Sequence, residues 1–144
     1  MLTAEDRFLI EQLHARYCAC LDLGDVKGWA QCFTVDGEFG VRRMRKGRDA
    51  LEAHCADVLA RRLANPWANV QHWNGNIVVE GNSASARSVS YLTMLGRTRD
   101  SGNLIIVAQG WYDDLLHKVD GHWLFNSRRI SFDTPPPDLV PSLP

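Results

Sequence analysis

Two residue types that do proton chemistry stand out by their setting: an aspartate, Asp22, and a histidine, His72. Asp22 lies in Tyr17-Cys-Ala-Cys-Leu-Asp-Leu23, a run apolar on every side except for that one acid. A charge there needs compensation if the run is buried. His72 lies in Asn69-Val-Gln-His-Trp-Asn-Gly-Asn-Ile-Val-Val-Glu80, which alternates like a strand. Val70, His72, Asn74, Asn76 and Val78 share one face, and Gln71, Trp73, Ile77 and Val79 the other. The second face reads as an ordinary buried surface. The first sets an imidazole beside amides, which suits a pocket wall. If Asp22 bonds one imidazole nitrogen, it fixes the tautomer and makes the other nitrogen a better base.

Other groups could complete such a site. On the last strand-like run Arg128 alternates with Arg129, so one of the two points inward. An inward arginine binds a carboxylate or polarises a leaving group; the plainer alternative is an ion pair with Asp22 or Asp113. Tyr17, Tyr91 and Tyr112 are pocket hydroxyl candidates, or buried tyrosines with a single partner. Asn74 joins them as a substrate-binding candidate. No glycine-rich phosphate loop, dinucleotide fingerprint or nucleophile elbow is present, so no cofactor is expected. Cys18, Cys20, Cys32 and Cys55 form no C-x-x-C pair and have no histidine at ligand spacing. They read as reduced core thiols in a cytoplasmic protein, not as a metal site.

These residues need elements to hold them. Thr3 and Asp6 suit the start of a first helix, with Leu9, Leu13, Tyr17 and Cys20 as its stripe and Gly24 as its stop. Asp25 suits the cap of a short helix, about 26–33. Asp36-Gly37 signals a turn before a short strand over 38–43. A basic loop with Arg42, Arg43, Arg45 and Arg48 leads to a third helix over 49–63, striped by Leu51, Cys55, Val58 and Leu59. Four strands follow, about 70–79, 83–97, 104–118 and 122–132, separated by hairpin chemistries such as Asp120-Gly121. Helices first and a meander afterwards define an α+β fold. We expect a cone-shaped barrel, its curved, mostly antiparallel sheet wrapped around the N-terminal helices and enclosing a cavity. The domain should span 1–133, with a Pro-rich tail over 134–144 that cannot pair in a sheet.

At 144 residues the chain is one domain's worth, and a net charge of -1 argues against nucleic acid or an anionic membrane as partner. No apolar run is long enough to span a bilayer, and the first residues lack the pattern of a signal peptide.

The order of motifs resembles a known family. Tyr17…Leu-Asp22-x-Gly-Asp25…Trp29…Cys-Phe33-x-x-Asp-Gly37 is similar to the start of SnoaL-like proteins of the nuclear transport factor 2-like superfamily. Gly47-x-x-Ala-Leu51, His72-x-Asn74, Gly81-x-x-Ala84…Ser90-Tyr91, Gly110-x-Tyr112-x-Asp114 and Asp120-Gly-x-Trp123-x-Phe…Arg128 continue it in register. The pattern lies nearest scytalone dehydratase and hexachlorocyclohexane dehydrochlorinase, both cofactor-free lyases with a helix-one aspartate and a strand histidine. The resemblance carries those roles to Asp22 and His72, and the dehydrochlorinase's last-strand arginine to Arg128. Two departures matter: Tyr17 stands where the dehydrochlorinase has lysine, and the dehydratase's second histidine has no counterpart near 94–96. The resemblance implies a lyase (dehydratase or dehydrohalogenase) or isomerase acting on a small apolar cyclic substrate, in a homodimer or homotrimer. The same superfamily implies an alternative, a ligand-binding or structural subunit resembling dioxygenase β subunits.

Overall fold

The computed structural model describes residues 1–137, so most of the Pro-rich tail lies outside the described residues. Helix α1 (Ala4–Leu23) is closed at both ends by local chemistry. The Thr3 hydroxyl accepts from the Asp6 backbone N–H at 3.0 Å while the Asp6 carboxylate accepts from the Thr3 N–H at 3.1 Å, a reciprocal capping box. Asp6 does more than cap: its other oxygen takes Lys118 Nζ at 2.8 Å and Trp123 Nε1 at 3.0 Å, fastening the helix start to the sheet. Gly24 ends α1 at φ 80°, the left-handed conformation that glycine adopts without strain. Asp25 then accepts from the Gly28 N–H at 2.9 Å and caps α2 (Val26–Ala30), shorter than its sequence suggested.

The buried stripe of α1 is Asp6, Ile10, Leu13, His14, Tyr17, Cys18 and Leu21, rotated from the expected one. Leu9 and Cys20 are only partly buried. The rotation brings His14 inward.

The strand expected at 38–43 is instead β1 (Phe33–Gly40), followed by a short β2 (Met44–Lys46) inside the basic loop. Asp36-Gly37 is therefore no turn but an irregular step within β1, whose register with its parallel neighbour shifts there. A Cβ on Gly37 would come within 2.9 Å of the Phe33 side chain and 3.0 Å of the Phe125 carbonyl, so glycine permits the close approach. Helix α3 (Arg48–Arg62) follows, then β3 (Trp67–Gly81), β4 (Ser85–Thr98), β5 (Leu104–Val119) and β6 (His122–Ser131).

The sheet order is β2-β1-β6-β5-β4-β3, antiparallel except for β1 against β6. It does not close, leaving β2 and β3 as edges. Between sheet and helices lies an aromatic core of Tyr17, Trp29, Phe33, Phe39, Tyr112 and Phe125, all buried. Among the described residues, none covers the opposite face of the sheet. Trp73, expected in a buried surface, is 61% exposed and its indole bonds Gln71, because no described residue covers that face. The β3 alternation holds from Val70 to Asn74 and then breaks: a register shift between Gly75 and Val78, with Asn76 at φ 53°, exposes Asn76 and buries Val79.

Candidate active site

The last turn of α1 runs along the outer edge of β3. An edge strand leaves backbone donors without a ladder partner, and here a side chain supplies one. Asp22 Oδ2 accepts the His72 backbone N–H at 2.8 Å, and Asp22 Oδ1 meets His72 Nδ1 at 2.6 Å. One carboxylate thus holds both the strand and the ring. The two side chains are 17% and 9% exposed, dry enough to strengthen the bond and open enough to be reached. With Nδ1–H given to the carboxylate, Nε2 carries the lone pair and has no partner among the described residues.

Three depressions border His72. One of about 630 Å³ runs between α1 and β3, past His14, Cys18 and Asn74. One of about 440 Å³ is lined by both Asp22 and His72, with Cys18 and Val70. The third, about 280 Å³, lies between the end of α3 and the strands, where His72 joins Val58, Val70 and Met94. Arg61 and Arg62 also line it, so two cations border this space.

Asn74 links this dyad to a second, buried cluster. Its Nδ2 donates to Ser90 Oγ at 2.7 Å, and its Oδ1 accepts from Arg128 Nη2 at 2.9 Å. Arg128 is the inward arginine of its pair, 0% exposed. It forks onto Asp114, Nε to Oδ1 at 2.8 Å and Nη2 to Oδ2 at 3.0 Å. Neither Asp22 nor Asp113 is its partner: β5 and β6 set Asp114 directly opposite Arg128, while Asp113 faces out and pairs with Arg87. Burial pushes the Asp114 carboxyl up, and the Arg128 fork opposes that.

His14 completes the cluster, with Nε2 3.2 Å from Ser88 Oγ and Nδ1 2.8 Å from Arg128 Nη2. Nδ1 also lies 2.7 Å from Asn74 Oδ1, an oxygen that can only accept, so Nδ1–H donates there. Burial, reinforced by the Arg128 charge, lowers His14 to about 3 and keeps the ring neutral.

The guanidinium of Arg128 lies 3.8 Å from the Tyr112 ring centroid, 4.1 Å from Phe125 and 4.3 Å from Tyr17. Tyr17 and Tyr112 are both buried, and burial pushes both phenols up, so they remain protonated donors. Tyr91 sits elsewhere, 44% exposed on the open face of β4, because strand alternation turns it away from Ser90. The structure therefore gathers Asp22, His72 and Asn74 at the depressions, places Arg128, Tyr17 and Tyr112 behind them, and leaves Tyr91 outside.

His14 and Ser88 escaped sequence reading, and Asp114 entered it only as part of a family motif. The signal was present as polar residues at core positions: His14 four residues from Ile10 and Cys18, and Asp114 between Tyr112 and Leu116. Burial likewise raises Cys18 to about 11, Cys32 to about 12 and Cys55 to about 11, which leaves these thiols unreactive. Among the described residues no three His, Cys, Asp or Glu side chains converge as metal ligands.

Fold and site together define an α+β cone with a polar dyad at the junction of its first helix and an edge strand. Residues 2–129 match the model of the SnoaL-like domain, and the chain belongs to that family. No curated protein matches it. Among solved structures it is similar to a variant of Rv3472, a protein of unknown function from Mycobacterium tuberculosis, with 29% identity over 96% of this chain and 78% of that one (TM-score 0.79). It is also similar to a cystatin-like-fold protein of unknown function from Nostoc punctiforme, 28% identical over 92% and 94% of the two chains (TM-score 0.79). A candidate scytalone dehydratase from Novosphingobium aromaticivorans shares the fold, at 24% identity over 90% and 85% (TM-score 0.74).

Proposed function

We propose that this protein is a cofactor-independent enzyme that removes a proton from carbon, a lyase or isomerase acting on a compact cyclic substrate. The observation that carries the reading is the Asp22 carboxylate bonded to both N–H groups of His72, with Nε2 left free beside the depressions. His72 Nε2 takes the proton, and Asp22 stays ionised and stabilises the imidazolium. The electron pair of the broken C–H bond then expels halide from the neighbouring carbon, or a hydroxyl that takes the proton back from the imidazolium and leaves as water, or delocalises into an adjacent carbonyl and returns to another carbon with the proton. Family membership supports the reading, as does the shared fold of the candidate dehydratase.

One observation favours the alternative of a ligand-binding or structural subunit: Arg128, Tyr17 and Tyr112 pack into a closed core and not onto an open wall. Turnover decides between them. Cyclic hydroxyketones, polyketide-like phenols and halogenated rings should be screened with wild type, His72→Ala and Asp22→Asn. We expect His72→Ala to abolish turnover and Asp22→Asn to lower kcat by roughly 10²–10⁴, with melting temperatures close to wild type. Activity that survives His72→Ala, or a variant that fails mainly by unfolding, would sink the catalytic reading.

A further inference from the structure

The depression between α3 and the strands holds a cation that no acid among the described residues balances. Arg62, half-buried in the last turn of α3, is fixed by one bond, Nη1 to the Leu21 carbonyl at 3.0 Å. No acid pairs with it among the described residues, and its other N–H groups have no partner there. Its neighbour Arg61 differs: it is exposed and paired with Asp57 at 2.6 Å. Arg62, Trp67 and His72 line this same depression, whose remaining wall includes Val58, Val70 and Met94 and carries no carboxylate.

A half-buried guanidinium without a counter-ion carries a desolvation cost that a bound anion can relieve. The complementary group is an anion with two acceptor oxygens, and the apolar wall complements a ring. Guanidinium geometry suits a carboxylate in particular. We infer that the substrate is a ring compound bearing a carboxylate, which Arg62 holds while the ring lies on Val58, Val70 and Met94 beside His72. The inference rests on the reading that the substrate occupies the His72 depressions, and it makes Arg62 a specificity-determining residue. At about 280 Å³ the space is at the small end of ligand pockets, in keeping with one or two rings.

Equilibrium binding tests this without turnover. The probes are 1-naphthoate and its neutral isostere 1-acetylnaphthalene, titrated by calorimetry against wild type, Arg62→Gln, Arg62→Lys and Met94→Trp. Wild type should bind naphthoate about tenfold more tightly than the ketone. Arg62→Gln should erase that preference while leaving ketone affinity unchanged, Arg62→Lys should retain part of it, and Met94→Trp should weaken both ligands by filling the wall. Naphthoate binding no tighter than the ketone in wild type, including no binding of either, overturns the inference. So does a preference that survives Arg62→Gln, or affinities untouched by Met94→Trp. Failure of the catalytic reading looks different: naphthoate preference intact, and turnover indifferent to His72→Ala.

Discussion

At the scale of single residues, the molecule keeps two histidines with opposite duties. His72 faces open depressions with a carboxylate behind it, whereas His14 is sealed between Ser88 and Arg128. The sign of His14's effect on stability follows from its lowered value. An unfolded histidine titrates near ~6.5, so between that value and about 3 the unfolded chain binds a proton that the folded chain refuses. Its contribution is complete above ~6.5 and is lost as pH falls toward the folded value. Stability by urea titration should therefore drop from pH 7 to pH 4.5, with a slope from this group of at most ~1.4 kcal/mol per pH unit. His14→Gln should flatten that slope; an unchanged slope would mean that His14 is not held neutral. The Arg128–Asp114 pair predicts a second outcome. Asp114→Ala strands a guanidinium at 0% exposure and should cost roughly 3–5 kcal/mol, whereas the double change Arg128→Met with Asp114→Leu should recover much of it. A single-variant loss below ~1 kcal/mol would show that the pair is replaceable.

At the scale of elements, α1 is the positioning device. The capping box sets its start, Asp6 ties that start to β5 and β6, and Gly24 ends it two residues after Asp22. Gly24→Ala tests how firmly that end is placed. A Cβ there would meet only Leu59, at an ordinary 3.9 Å, so the cost is the left-handed backbone, about 1 kcal/mol. The same change should reduce activity beyond its effect on folding, because it acts on the turn that delivers Asp22; equal losses in stability and none in kcat would argue otherwise. Thr3, Asp6, Gly24 and Asp25 were all legible as punctuation, since capping chemistry is local. The step at Asp36-Gly37 was not, because glycine in a turn and glycine admitting a parallel neighbour look alike until β6 is in place.

At the scale of the whole molecule, the open face of the sheet is the feature in need of an explanation. Trp73, Tyr91 and Ile106 are exposed there, and Ile106 reaches 70%. Apolar area of this kind on a sheet face marks an interaction surface. The expected dimer or trimer would cover it. Sedimentation should give a homo-oligomer, and Tyr91→Glu with Ile106→Glu should shift it toward monomer while leaving the His72 depressions, which neither residue lines, intact. A clean wild-type monomer would refute this use of the face.

The amino-acid sequence by itself specifies the helices, the meander and the two best catalytic candidates, because caps, alternation and an acid in an apolar run are written in neighbouring residues. The lengths of β1 and β2, the turning of Trp73 and Tyr91 to the open face, and the burial of Arg128 opposite Asp114 depend on residues far apart in the chain. So does the contact at the centre of the site. Asp22 and His72 are fifty positions apart, and only the docking of α1 along the β3 edge brings the carboxylate to both N–H groups of the histidine. Local sequence sets what each segment can be; packing sets which segments meet, and a dyad is a meeting.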